Sequence, residues 1–120
     1  MEIIAKKVIT LYTVEISLQE YWEALTLAVE IVNKDLTKWW AYELKDNKSF
    51  VSFAKKFSDG AEVTLDVAKD MYENYLCNDV AHLVVRYIAR VRGYDMQHYG
   101  IYDKRTKVIR CTFQGDGAHI

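Results

Sequence analysis

Residues 80–93 have the sequence VAHLVVRYIARVRG, and this stretch decides which fold the chain is expected to adopt. Its apolar side chains recur at steps of three and four residues, the spacing of one face of an α-helix. They are Val80, Leu83, Val84, Tyr87, Ile88 and Val91. Gly93 stands where a helix commonly ends, and Arg90 and Arg92 fall in the last turn, where positive charge is favourable. We expect this helix to be central to the core.

The residues that follow this helix predict a β-hairpin. Residues 98–103 and 106–113 are rich in strand-forming types and are joined by a short polar turn at 103–105. Alternation places Ile109, Cys111 and Phe113 on one face of the second strand.

Upstream of the central helix, the pattern changes several times. Thr64 is a candidate N-cap for a helix over residues 65–76, and the pair at 78–79 interrupts and re-caps it. Residues 49–58 fit both helical spacing and alternation, and we favour a short helix capped by Ser49 and closed by Gly60. Residues 36–44 alternate large side chains and predict a strand in the middle of the chain.

The N-terminal third predicts a strand followed by a helix. Residues 3–16 are rich in β-branched and aromatic types, with one break in alternation near Tyr12 that suggests a bulge. Ser17 and Glu20 form a capping box, so a helix should begin there and end near residues 33–35.

The element order predicts one α+β domain that spans residues 1–120. A small, mainly antiparallel sheet would contain the N-terminal strand, the middle strand and the C-terminal hairpin. Three to four helices would pack on that sheet.

Composition excludes several classes of function. The chain has 120 residues, 51% of them hydrophobic, and a formal net charge of −1, so no bulk field attracts nucleic acid. Cys77 and Cys111 lack metal-ligand spacing, and no glycine-rich phosphate loop exists, so we expect neither metal nor cofactor. No secretory signal or membrane-spanning run is apparent, which predicts a cytoplasmic protein.

The positive charge of the last third is the strongest candidate for a binding surface. All five arginines lie there, and Arg86 and Arg90 follow His82 at four-residue steps along one helical stripe. The candidate basic residues are Arg86, Arg90, Arg92, Arg105, Lys107 and Arg110. The alternative is that these cations pair within the molecule, because residues 59–79 are strongly acidic.

Aromatic residues add candidate contacts. Trp39, Tyr99 and Tyr102 belong to segments in which neighbouring aromatics cannot all point inward, so some should be exposed. Exposed tyrosine, tryptophan and arginine are typical of protein interfaces, whereas packing on a second layer or on another copy of the chain is the alternative.

No catalytic residue is assigned. A Cys-His pair, or a His-Arg-Tyr phosphodiesterase site drawn from His98, Arg110, Tyr99 and Tyr102, would need groups that the sequence does not fix in one pocket. Both cysteines lie on or beside apolar faces, where buried inert thiols are the usual outcome.

These observations predict a non-enzymatic protein that acts by binding another macromolecule, most directly a protein. Inhibitors of host defence that phages or plasmids encode, and immunity proteins that neutralise toxins, are of this kind. The alternative is a nucleic-acid-binding or nuclease-like domain that uses the basic hairpin. A homodimer formed through the aromatic strands is a third possibility.

Overall fold

A computed structural model describes residues 10–38, 41–93 and 98–115 of the chain. The strands are β1 (Thr10–Ile16), β2 (His98–Asp103) and β3 (Val108–Gly115). The helices are α1 (Leu18–Asn33), α2 (Tyr42–Asp46), α3 (Lys48–Lys55), α4 (Leu65–Glu73) and α5 (Asp79–Val91), and a 3-10 turn covers Tyr75–Cys77. The predicted α+β class is confirmed.

The sheet has three antiparallel strands in the order β1-β3-β2, so the C-terminal strand lies in the centre. β1 pairs with β3 from Thr10 opposite Gly115 to Ile16 opposite Ile109. This register has no extra residue, so the bulge predicted near Tyr12 is absent. Residues 3–9 of the predicted strand lie outside the described residues.

Three helices, α1, α4 and α5, begin at capping residues that the sequence predicted. The Ser17 hydroxyl accepts the N–H of Glu20 at 3.2 Å, and the Glu20 carboxylate accepts the N–H of Ser17, which begins α1. Thr64 and Asn78 cap α4 and α5. Gly93 follows α5 at φ 90°, a left-handed conformation that costs glycine little.

The middle strand predicted over residues 36–44 is wrong for the described part of that segment, which forms α2 from Tyr42. Tyr42 is 59% exposed while Leu44 is only 2% exposed. Residues two apart share a face in a strand but lie about 200° apart around a helix, so only the helix separates these two environments.

The ambiguous segment 49–58 contains α3, as favoured. Phe50 and Ala54 are both fully buried, which is the i, i+4 spacing of a helix face. The cap is Asn47 rather than Ser49, because the Asn47 side chain accepts the N–H of Phe50 at 2.9 Å.

The core lies between the sheet and the helices. Ile16, Ile109 and Cys111 of the sheet are fully buried, as are Tyr21 and Leu25 of α1. Burial of one such aliphatic or aromatic side chain contributes about 1.5–3 kcal/mol, so this layer supplies much of the stability.

A single hydroxyl joins α4 to the sheet. Tyr72 donates to the carbonyl oxygen of Ile16 at 2.7 Å and accepts the N–H of Ile109 at 3.0 Å. Its ring packs edge-on against Tyr21 and Tyr102, with centroid distances of 5.6 and 5.4 Å. We call this arrangement the Tyr72 anchor.

Candidate partner-binding surface

Two arginines of α5 converge on one carboxylate of α2. Arg86 and Arg90 each donate from Nη2 to Oε1 of Glu43 at 2.9 Å. We call these three residues the Glu43 cluster. The two guanidinium groups thus share one carboxylate oxygen as acceptor.

The Glu43 cluster is partly open to solvent. The side chain of Arg86 is 40% exposed, that of Glu43 37% and that of Arg90 20%. At this exposure each ion pair contributes about 0–1 kcal/mol to folding. The two ion pairs therefore hold these side chains in place but contribute little to the stability of the fold.

The packing of α5 fixes the direction of the arginine pair. Ala81, Val84 and Ile88 are buried to 5% exposure or less, and they hold the opposite side of the helix against the core. Arg86 and Arg90, four residues apart, then point the same way.

An exposed aromatic adjoins the cluster. Tyr42 is the first residue of α2 and directly precedes Glu43, and 59% of its surface is accessible. Leu44 on the buried side anchors the short helix, so Tyr42 is held at the surface, one residue before Glu43. The cluster and Tyr42 together form what we call the Tyr42 surface.

Two of the other predicted arginines, Arg92 and Arg110, have acidic neighbours as well. Arg92 forms an ion pair with Glu20, and Arg110 of β3 contacts Glu15 of β1 at 3.1 Å across the register pair. These partners, like Glu43, lie outside the acidic segment 59–79. The internal pairing that we considered therefore occurs with different carboxylates from those that charge segregation suggested.

Arg105 and Lys107 are exposed in the turn between β2 and β3. The turn is held by Asp103, whose carboxylate accepts the N–H of Arg105 at 2.9 Å and whose carbonyl accepts the N–H of Lys107 at 2.7 Å. The backbone hydrogen bond from Arg105 is the main cause that lowers the pKa of Asp103. The two cations thus project from a well-defined turn between β2 and β3, whereas the residues of the Tyr42 surface belong to α2 and α5.

The aromatic candidates have different outcomes. Tyr102 is only 7% exposed and packs on Tyr72, so it belongs to the core and is withdrawn from the candidate surface. Tyr99 pairs through its backbone with Thr112, but its side chain and the whole of Trp39 lie outside the described residues.

The described parts of the candidate catalytic groups form no recognisable site. Burial raises the pKa of the Cys111 thiol to about 12, which keeps it protonated at neutral pH. His98 pairs with Phe113, three residues along β3 from Arg110, which separates the two backbones by about 10 Å. Within the described residues, no group of three or more histidine, cysteine or acidic side chains is placed to hold a metal ion.

Two clefts flank α1. One, of about 240 Å³, lies against α5 and is bordered by the exposed side chains of Leu27 and Val91. The other, of about 350 Å³, lies between α1 and the loop that contains Gly60. Neither includes the Tyr42 surface.

Sequence reasoning missed Tyr42 and Glu43 as surface residues. Glu43 lies 43 and 47 residues from its two arginines, so no local spacing pointed to the contact. The available signal was a single acidic residue, Glu43, in the first turn of α2.

Comparison with known proteins gives no functional assignment. No protein-family model, no curated protein sequence and no solved structure matches this chain. Among the helices of the described ranges, none is long and apolar enough to cross a membrane.

Proposed function

We propose that this protein acts by binding another protein through the Tyr42 surface. The observation that carries the proposal is that Arg86 and Arg90 share one oxygen of Glu43, the residue that directly follows the exposed Tyr42 in α2. Tyrosine and arginine are enriched at the centres of protein interfaces.

The chemistry of the cluster defines the partner. A guanidinium offers five donors in a planar fork, and one carboxylate oxygen at Glu43 uses only part of what Arg86 can offer. A partner carboxylate would accept hydrogen bonds from the remaining donors of Arg86, whose side chain is 40% exposed, and an apolar neighbour of that carboxylate would pack on Tyr42. We therefore propose an acidic protein surface as the partner.

This proposal keeps the hypothesis of an inhibitor of host defence machinery or an immunity protein. Both would work by occupying a site on another protein, and neither would need a catalytic group or a cofactor. Electrostatic attraction to an acidic partner would mainly raise the association rate and would weaken with salt.

The test is an affinity pull-down with matched charge reversals. Wild-type protein, Arg86→Glu/Arg90→Glu and the control Lys69→Glu/Lys104→Glu would be exposed to cell lysate with and without nuclease. We expect a stoichiometric protein that survives nuclease, is retained by the wild type and the control, and is lost with the double arginine variant. Circular dichroism would verify that each variant is folded.

A second variant separates the aromatic contribution. Tyr42→Ala leaves the charges intact and should weaken retention of the same protein by removing an apolar anchor. Equal retention by all variants would contradict the proposed surface.

The alternative function is nucleic-acid binding by the hairpin turn. It is favoured by the exposure of Arg105 and Lys107 on a hydrogen-bonded turn. Retention of nucleic acid alone, weakened by salt and lost with Arg105→Glu/Lys107→Glu, would support it.

A homodimer, the third hypothesis, would appear as a concentration-dependent mass in size-exclusion chromatography.

A further inference from the structure

A lysine-lined cleft lies between α2 and α3, and its lining residues differ from those of the Tyr42 surface, although α2 contributes to both. It has a volume of about 330 Å³ and is lined by Lys45, Lys48, Val51, Ser52 and Lys55. No carboxylate is among these five residues. The cleft thus concentrates positive charge on a protein whose formal net charge is −1.

The local structure explains why the lysines meet. Asn47 ends α2 and caps α3 directly, so the two helices meet at a corner with one residue between them. Lys48, Ser52 and Lys55 are at i, i+4 and i+7 of α3, which places them on one face. Burial of Phe50 and Ala54 fixes the opposite face, so the lysine face is held toward solvent.

Lys45 is positioned by a contact from outside the cleft. Its Nζ lies 2.9 Å from a carboxylate oxygen of Asp35, which follows the end of α1. The Lys45 side chain is 25% exposed, whereas that of Asp35 is 92% exposed. The pair orders the ammonium group at the cleft and neutralises one of its three positive charges.

We propose that this cleft binds phosphate groups. Lysine ammonium groups bind phosphate as point charges, and a serine hydroxyl can donate to a phosphate oxygen. Lys48 and Lys55 lie about 10 Å apart along the helix axis, a distance that suits linked phosphates better than one isolated ion. Among the described residues that line the cleft, Val51 is the only apolar one, so the phosphates rather than an attached ring would be recognised.

This site is separate from the Tyr42 surface, and neither proposal depends on the other. The phosphate could belong to a small polyphosphorylated compound or to the backbone of a nucleic acid, since both present the same tetrahedral anions. The experiment distinguishes these two sources.

The test is a titration of the ¹⁵N-labelled full chain with inorganic pyrophosphate, followed by NMR. Saturable shifts should concentrate at residues 45–55, and Lys48→Gln/Lys55→Gln should weaken binding about tenfold. The matched control Lys69→Gln/Lys104→Gln removes the same charge elsewhere and should bind as the wild type does. Unchanged melting temperatures would show that both double variants remain folded.

The outcomes are distinct. Shifts spread evenly over the surface, equal weakening by both double variants, or no saturable shift would overturn the proposal. If a thymidine oligonucleotide displaces pyrophosphate from the same residues, nucleic acid is the source. If pyrophosphate binds there and the oligonucleotide does not compete, the source is a small phosphorylated compound.

Discussion

The Tyr72 anchor and the Glu43 cluster are built in the same way and serve different ends. In each, one oxygen contacts two groups that lie at least 37 residues away from it in the sequence: Ile16 and Ile109 for Tyr72, and Arg86 and Arg90 for Glu43. Tyr72 is 3% exposed, whereas the Glu43 side chain is 37% exposed. Water can replace a lost contact at the second site and not at the first.

The difference in burial implies that the Tyr72 anchor stabilises the fold, whereas the Glu43 cluster contributes little to stability. Removing a buried hydroxyl leaves a backbone N–H and a carbonyl without a hydrogen-bond partner in a site that water does not reach. This lowers the free energy of unfolding by about 1–3 kcal/mol. Removing a half-exposed carboxylate lets solvent hydrate the arginines, so folding is little affected. The exposed cluster is therefore available for a partner without endangering the fold.

The largest expected effect is at the anchor. Tyr72→Ala removes a buried ring and its hydroxyl, and the free energy of unfolding should fall by about 3–5 kcal/mol. Tyr72→Phe keeps the ring and should cost about 1–3 kcal/mol, because two buried backbone groups lose their partner. Urea denaturation followed by circular dichroism measures both changes.

Tyr42→Ala is the matched control, since it removes the same side chain from a position that is 59% exposed. It should change the free energy of unfolding by no more than about 0.5 kcal/mol. If Tyr42→Ala lowered the free energy of unfolding as much as Tyr72→Ala does, the distinction between the two regions would be wrong.

Alkaline pH should act on the buried region alone. Burial raises the pKa of Cys111 from 9.0 to about 12 and that of Tyr87 from 10.0 to about 12. The folded chain then keeps protons that the unfolded chain releases, so stability is fully present below pH 9 and falls as pH rises toward 12. Each group adds a slope of up to about 1.4 kcal/mol per pH unit.

Denaturation of Cys111→Ala and Tyr87→Phe across this pH range tests the assignment. Each variant should show a shallower decline than the wild type, whatever its stability at pH 7. A slope that neither substitution changes would mean that other groups control alkaline unfolding.

Helix capping should give a smaller effect. The Asn78 side chain accepts the N–H groups of Val80 and Ala81 at 2.9 and 3.2 Å, at the start of the helix that carries the arginine pair. Asn78→Ala should cost about 0.5–2 kcal/mol, and Asn78→Gly only a few tenths. Equal losses in thermal unfolding of the two variants would contradict a capping role.

Caps were also the features that the sequence predicted best. Ser17, Thr64 and Asn78 act within three residues of the groups that they satisfy, so their chemistry is visible in a short window. The α+β class followed from the same local signals. The middle strand failed because five residues of α2 are too few to show a helical period, and the alternation of large side chains favoured a strand.

The candidate surface was predicted in part. Helical spacing correctly placed Arg86 and Arg90 on one stripe, because that relation is local. Their meeting with Glu43 depends on how α2 packs beside α5, which no sequence spacing encodes. Tyr102 was misjudged for the same reason, since its burial depends on Tyr72 of α4.

The smallest effect on folding should come from Glu43→Gln. The substitution removes one charge from a half-exposed cluster, so the free energy of unfolding should change by no more than about 1 kcal/mol. A double-mutant cycle with Arg86→Ala, measured by urea denaturation, gives the coupling free energy between Glu43 and Arg86.

Lys45→Ala with Asp35→Ala is the matched cycle for another surface pair, whose side chains are 25% and 92% exposed. A coupling at Glu43 of several kcal/mol, well above that of the matched pair, would make the cluster a second structural anchor. A small coupling would leave its arginines available to a partner at little cost to the fold.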